Sequence, residues 1–176
     1  MSSSVKNSRI LDVLYEAFWA PDFAIGLVTG ALGGAFAFYV GISRGRAFTL
    51  LLAMTALGAA VVALSVTVMA IVFAFVQGDY YTLLEERTTG GFVGSLRTFK
   101  IVAVVGALSI GASFVGALTW NSLPTWAQAV IFGGSVGLTS WALAGSVQLL
   151  FLLSWHASKR ADLERIRQKA HELLDS

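Results

Sequence analysis

The sequence contains no cysteine, only two prolines and few charged residues. Without cysteine the chain has no disulfide, no thiolate metal ligand and no thiol nucleophile. Charged residues make up 12% of the chain, about half of the ~25% that is usual in soluble proteins. Between residues 23 and 78 the only charges are Arg44 and Arg46, and none occurs from 101 to 158. Uncharged segments of such length predict helices that cross a membrane.

The residues that are present in excess are apolar, at 56% of the chain. About 20 apolar residues cross a ~30 Å hydrocarbon core, so the uncharged runs divide into four spans. We predict the spans at residues 23–42, 48–76, 101–119 and 127–155. The second and fourth are long enough to require tilting or projection beyond the bilayer. The expected fold class is an all-α integral membrane protein whose membrane domain, 23–156, is a four-helix bundle.

Three further segments are predicted to be amphipathic cytoplasmic helices. Residues 1–22 carry apolar and charged side chains on opposite faces, which is typical of a helix that lies in the membrane interface. The middle loop repeats this pattern, with Tyr80, Tyr81 and two leucines ahead of three charged residues. Residues 157–176 form a charged helical tail.

The distribution of lysine and arginine predicts the orientation of the spans. Ten of these twelve residues precede the first span, lie between the second and third, or follow the fourth. Only Arg44 and Arg46 lie on the opposite side. The positive-inside rule therefore predicts a multi-pass protein of the cell or inner membrane with both termini in the cytoplasm. Trp120 and Trp126 flank the short outer turn, where indoles favour the headgroup level.

The two halves of the membrane domain resemble each other at an offset of 76 residues. The identical pairs include Phe23 and Phe99, Ile25 and Ile101, and Gly30 and Gly106. One interpretation is a tandem duplication of a helical hairpin. The other is shared helix patterning without common origin.

The acidic residues and histidines give no pattern of a catalytic, cofactor or metal site. All ten acids lie outside the predicted spans or at their ends, as Asp22 does, so no carboxylate pair is predicted at depth. His156 at the end of the fourth span has no second histidine in another span to form a haem site. The sequence therefore predicts a protein that is not an enzyme, without cofactor, metal or nucleic-acid partner.

Small residues at helical spacing are the distinctive feature of the spans. Helices in lipid associate through such faces, because the hydrophobic effect does not drive them together there. We interpret these faces as helix–helix interfaces, either inside one bundle or with another copy or subunit. The glycine ridge of the first span, Gly26, Gly30 and Gly34, called the first ridge, is the favoured candidate for contact with another copy or subunit. The predicted interface residues are Gly26, Gly30, Gly34, Ala107, Gly111, Gly133, Gly137 and Gly145.

The tail carries a narrow apolar seam among charged residues, formed by Leu163, Ile166, Ala170 and Leu173. Its alternating spacing of three and four favours pairing with another helix, although two heptads alone are too short to associate. The seam is a candidate binding surface for a cytoplasmic protein. The competing interpretation is an amphipathic helix on anionic lipid.

Three functions are compatible with these features. The first is a non-catalytic assembly or accessory subunit that oligomerises, or joins a membrane complex, through its small-residue faces and presents the tail helix. The second is a homo-oligomeric or holin-like pore; its candidate lining residues are Ser65, Thr67, Ser135, Thr139, Ser146 and Gln148. The third is membrane shaping, in which two hairpins with amphipathic helices act as a wedge in the lipid bilayer.

Overall fold

The computed structural model describes residues 21–75 and 96–174. Most of the predicted interfacial helix 1–22 and the predicted middle-loop helix lie outside these ranges. Within them, every regular element is a helix.

Four long helices make up the described fold. Helix α1 covers Pro21–Phe36 and continues as a π-helical turn, Ala37–Gly41. Helix α2 covers Arg44–Phe75, and α3 covers Arg97–Thr119 before a 3-10 turn. Helix α4 covers Thr125–Leu174. All four are long and apolar enough to cross a membrane. The described residues thus confirm the predicted all-α fold with four helices of spanning length.

Successive helices run in opposite directions, so the starts of alternate helices lie at the same end of the bundle. One end holds the start of α1 and the start of α3, and is called the Asp22 end here. The other holds the α1–α2 and α3–α4 turns, and is called the Arg44 end. The Asp22 end is the one predicted to be cytoplasmic.

Polar groups close the two turns at the Arg44 end. Gly41 has a φ of +66°, a left-handed conformation that favours glycine and lets the chain leave α1 sharply. The amide oxygen of Asn121 is directed at the guanidinium of Arg44, at 3.0 to 3.2 Å, because that group offers only donors. The side chain of Gln128 donates from Nε2 to the carbonyl oxygens of Trp120 (2.8 Å) and Leu123 (3.1 Å). These side-chain bonds fix the α3–α4 turn against the start of α2 and against α4.

The helices do not pack as a symmetric bundle. Helices α2, α3 and α4 all pack on one another, whereas α1 packs against α4 and has almost no contact with α2 or α3. Helix α1 accordingly leaves most of its large side chains exposed, including Leu27, Val28 and Leu32. Its attachment to the rest of the protein depends on α4.

Two apolar clusters form the core, one toward each end. The cluster at the Asp22 end centres on Val72, Phe99 and Leu149, which are at most 1% exposed. The cluster at the Arg44 end includes Leu51 and Phe132. Serine and threonine side chains occupy the interior between them.

Trp120 belongs to this second cluster. It is 5% exposed and meets the ring of Phe132 edge to face, at 6.3 Å between centroids. The indole of Trp120 therefore points into the bundle, which the sequence did not indicate, and its level relative to the headgroups stays a prediction. Trp126, the second residue of α4, is 64% exposed and faces outward.

The packing of the helices agrees with a hairpin duplication at one pair of crossings and disagrees with it at another. Gly30 and Gly106, equivalent at the offset of 76, both lie at close helix crossings: α1 with α4, and α3 with α2. A two-fold relation would also require α1 to pack on α2 as α3 packs on α4, and it does not. The duplication stays a prediction.

Candidate functional site at the interface of α1 and α4

Glycines bring α1 and α4 into backbone contact. A Cβ atom on Gly30 would lie 2.9 Å from the carbonyl oxygen of Gly133 and 3.1 Å from the Cα of Gly137. A Cβ on Gly26 would lie 2.8 Å from the carbonyl oxygen of Gly137, and one on Gly34 would lie 3.6 Å from the Cα of Gly133. Five of the eight predicted interface residues thus form one antiparallel crossing inside the chain. The first ridge therefore contacts another helix of the same chain, as the intramolecular interpretation expects.

The other three predicted interface residues lie elsewhere. Gly145 faces α3, where an added Cβ would be 2.7 Å from Cγ2 of Val102. Ala107 and Gly111 lie on the outward face of α3, and among residues 21–75 and 96–174 no neighbouring helix comes within 4 Å of a Cβ at Gly111.

Sequence reasoning missed the close crossing of α2 and α3. A Cβ on Gly58 would lie 3.0 Å from the carbonyl oxygen of Gly106, and one on Gly106 would lie 3.3 Å from that of Gly58. Gly58 has no glycine one or two turns away along α2, so it forms no ridge that a search for repeated small residues detects.

The first turn of α1 places a carboxyl group inside the bundle. Asp22 is 8% exposed, and its Oδ1 accepts a hydrogen bond from Nε2 of Gln148 on α4. Its Oδ2 lies 3.7 Å from where a Cβ on Gly145 would stand, an ordinary van der Waals separation, so the carboxyl group packs beside this glycine of α4. Buried acids in membrane helices are costly and usually face a specific partner. The sequence places Asp22 at the end of a span but does not reveal that its side chain is buried.

Comparison with known proteins gives this site no precedent. No family model, curated protein or solved structure matches the chain. Among the described residues, no three histidine, aspartate or glutamate side chains come together as metal ligands would.

The six candidate pore-lining residues do not line one surface. Thr67 is exposed and donates to the carbonyl oxygen of Ala63 in its own helix. Gln148 is the partner of Asp22. The other four, Ser65, Ser135, Thr139 and Ser146, are at most 8% exposed and lie inside the bundle.

Two of the buried hydroxyls use carbonyl groups of their own helices. Ser65 donates to Val61 at 2.8 Å, and Ser146 donates to Leu143 at 2.7 Å. Such bonds satisfy the hydroxyl without water or a partner helix. These two side chains are therefore built into the packed interior.

An open apolar groove of about 600 Å³ runs along the outer side of the α1–α4 crossing. Glycines form its floor, among them Gly30 and Gly134, and Leu27 and Val130 are part of its walls. Three aromatic side chains close it at the Arg44 end, namely Phe38, Tyr39 and Trp126. Sequence analysis indicated the glycines but not the groove, which requires the two helices to be placed side by side.

The tail is a direct continuation of α4. The helix extends without interruption through the predicted end of the fourth span to Leu174. Nε of Arg160 contacts Oε1 of Glu164 at 3.1 Å, one turn away, a surface pair of small stabilising effect. Of the predicted seam, Ile166 is 64% exposed. The side chains of Leu163, Ala170 and Leu173 lie outside what the structure describes.

Proposed function

We propose that this protein is a non-catalytic integral membrane assembly subunit, which joins another membrane helix through α3 and presents the end of α4 to a cytoplasmic protein. The observation that carries the proposal is the continuity of α4. Its 50 residues extend about 75 Å at 1.5 Å per residue, whereas a bilayer with headgroups is ~45 Å thick. A helix anchored in the bundle therefore holds the tail at a fixed distance from the membrane.

The orientation follows from charge. The Asp22 end carries the starts of α1 and α3 and the whole basic tail, so the positive-inside rule favours placing that end in the cytoplasm. The tail, with Lys159, Arg160 and Arg165, then meets cytoplasmic proteins and anionic headgroups.

The outward face of α3 is the surface best suited to a second membrane helix. Ala107 and Gly111 are one turn apart, exposed, and flanked by the larger Val104 and Leu108, which are each 57% exposed. Small residues one turn apart let a helix from another chain approach closely. The first ridge is already engaged by α4, so the proposed contact moves from α1, the sequence-based favourite, to α3.

A pore is less well supported than assembly. The packed clusters around Leu51 and Phe99 occupy the interior at both ends, so a path through one chain would require the helices to separate. A pore between copies would be lined by outward faces, and Thr67 is the one candidate lining residue that is exposed. Such a wall would be almost entirely apolar.

The interface is tested by Gly111→Leu, with the particle mass measured in a mild detergent. The substitution fits into open space, so thermal stability of the bundle should stay unchanged while the assembled particle becomes smaller. Val104→Leu is the matched control, because it enlarges a side chain on the same face that is already large. An unchanged particle mass for Gly111→Leu would contradict the α3 contact.

The tail is tested by truncation after Ser158. The shortened chain should insert and assemble as before but fail to retain cytoplasmic proteins that co-purify with the full chain. Ion and dye flux through liposomes separates the alternatives. Flux from both chains at high protein density would favour the pore, since the spans alone would then suffice.

A further inference from the structure

Four hydroxyl side chains meet where α3 crosses α4, between the two apolar clusters. They are Ser109 and Ser113 from α3 and Ser135 and Thr139 from α4, and none is more than 5% exposed. Ser109 Oγ and Thr139 Oγ1 lie 2.6 Å apart, within hydrogen-bond distance. Ser113 and Ser135 have buried oxygens with no hydrogen-bond partner among the described residues.

The antiparallel register makes Ser113 and Ser135 the next pair. Ser113 lies one turn beyond Ser109 toward the Arg44 end, and Ser135 lies one turn from Thr139 in the same direction. The following turn confirms the alignment, because a Cβ on Gly116 would lie 2.5 Å from Cγ2 of Ile131. The two unpartnered hydroxyls therefore belong to one level of the interface.

A count of protons shows which groups remain unsatisfied. Thr139 Oγ1 donates to the carbonyl oxygen of Ser135 at 2.7 Å, so the proton between Thr139 and Ser109 must come from Ser109. Ser109 Oγ then keeps free lone pairs. Together with Ser113 and Ser135, it offers two donors and several acceptors in an interior that is otherwise apolar at this level. Buried polar groups are bonded in nearly all native proteins, often through ordered water.

We propose that Ser113 and Ser135 bind a single buried water molecule, which bridges the two hydroxyls and donates to Ser109. Three polar partners are the usual number for a buried water. Water fits this site because it can both donate and accept hydrogen bonds. A cation would require carboxylate oxygens as ligands, and no charged residue lies on α3 from 101 to 119 or on α4 from 125 to 158. Complete burial of both serines excludes a larger ligand.

The proposal is tested by a double-mutant cycle of thermal unfolding on the full chain in lipid nanodiscs. Ser113→Ala and Ser135→Ala should each lower the unfolding temperature, because each leaves the water and the remaining hydroxyl with one partner fewer. The double variant should be at least as stable as the less stable of the two single variants, since neither of the unpartnered serine hydroxyls then remains. Thr67→Ala, which removes an exposed hydroxyl that bonds its own helix, should leave the temperature unchanged.

Additive effects in the cycle would overturn the proposal, because they would mean that each serine bonds a carbonyl group of its own helix. A second measurement separates water from a direct bond between the two hydroxyls. Magnetisation transfer from water to the backbone amides of Ser113 and Ser135 should be observed by solid-state NMR in the native chain and be lost in the double variant. Coupling between the two substitutions without magnetisation transfer from water would also contradict the proposed bound water.

Discussion

Gly30 of α1 lies against Gly133 of α4 so closely that a Cβ atom on Gly30 would stand 2.9 Å from the Gly133 carbonyl oxygen. Helix α1 touches little besides α4 and buries few large side chains. The close approach of two backbones is therefore what holds α1 in place. In lipid, where the hydrophobic effect adds nothing between helices, such contact is the main source of association.

Gly30→Leu should consequently destabilise the protein itself. The leucine side chain has nowhere to go at the crossing, so α1 must move away, at a cost of ~3 kcal/mol or more, the upper range for overpacking. Gly134→Leu is the matched control, because no other helix that the structure describes comes within 4 Å of a Cβ at that position. Thermal unfolding in detergent measures both. Equal stability of the Gly30 variant and the native chain would contradict the crossing.

Replacement of Asp22 should separate hydrogen bonding from charge. Asp22→Asn keeps an oxygen that accepts from Gln148, so its stability should stay close to that of the native chain. Asp22→Ala leaves the Gln148 amide buried without its partner, and should cost about 1–3 kcal/mol. Chemical denaturation of the purified variants provides the comparison. If alanine and asparagine behave alike, the contact with Gln148 does not stabilise α1.

The two tryptophans beside the α3–α4 turn should differ in their effect on stability. Trp120→Ala empties a site between Leu51 and Phe132 in the core and should cost about 3–5 kcal/mol. Trp126 is 64% exposed, so Trp126→Ala should change stability by less than about 1 kcal/mol. Unfolding midpoints measure the difference. A larger loss at Trp126 would mean that the indole of Trp120 is not part of the packed core.

Composition and run length were sufficient to predict four helices near their observed positions. Predicted spans 23–42 and 101–119 correspond to helices that begin at Pro21 and Arg97. Charged residues at the ends of each span and the length of the uncharged run between them determine where the helices lie, and both are visible in the sequence. The small residues also identified the faces of α1 and α4 that come closest.

The partners of each face could not be read from the sequence. Helix α2 has apolar residues on all sides, so no pattern tells which side is buried. The burial of Asp22 depends on packing against α4, where its partner Gln148 lies over a hundred residues away. The inward position of Trp120 depends on a 3-10 turn that redirects the indole. Each is a consequence of tertiary packing, which local periodicity does not contain.

The orientation can be tested with single cysteines, since the chain has none of its own. Positions Ser4 and Ser176 should be protected from an impermeant thiol reagent added outside intact cells, and Ser122 should react. The expectation follows from the sequence, in which ten of the twelve lysines and arginines precede the first predicted span, lie between the second and third, or follow the fourth. Reaction of a cysteine at Ser4 under these conditions would reverse the assignment.

The continuity of α4 can be measured by spin labels on Val147, which lies beside the bundle, and Ile166, which lies in the tail; both are more than half exposed. One uninterrupted helix separates their backbones by about 28 Å, so a single narrow distance distribution is expected. Ala157→Pro should shorten and broaden it, because proline removes a backbone donor and clashes with the preceding turn. A pair at Val130 and Val147 lies wholly on the bundle side of residue 157 and should keep its distance in the same variant.

A broad distribution in the native chain would mean that the tail is hinged where it leaves the bundle. The tail would then sample many orientations, and a fixed presentation of the cytoplasmic surface, on which the assembly proposal depends, would be lost.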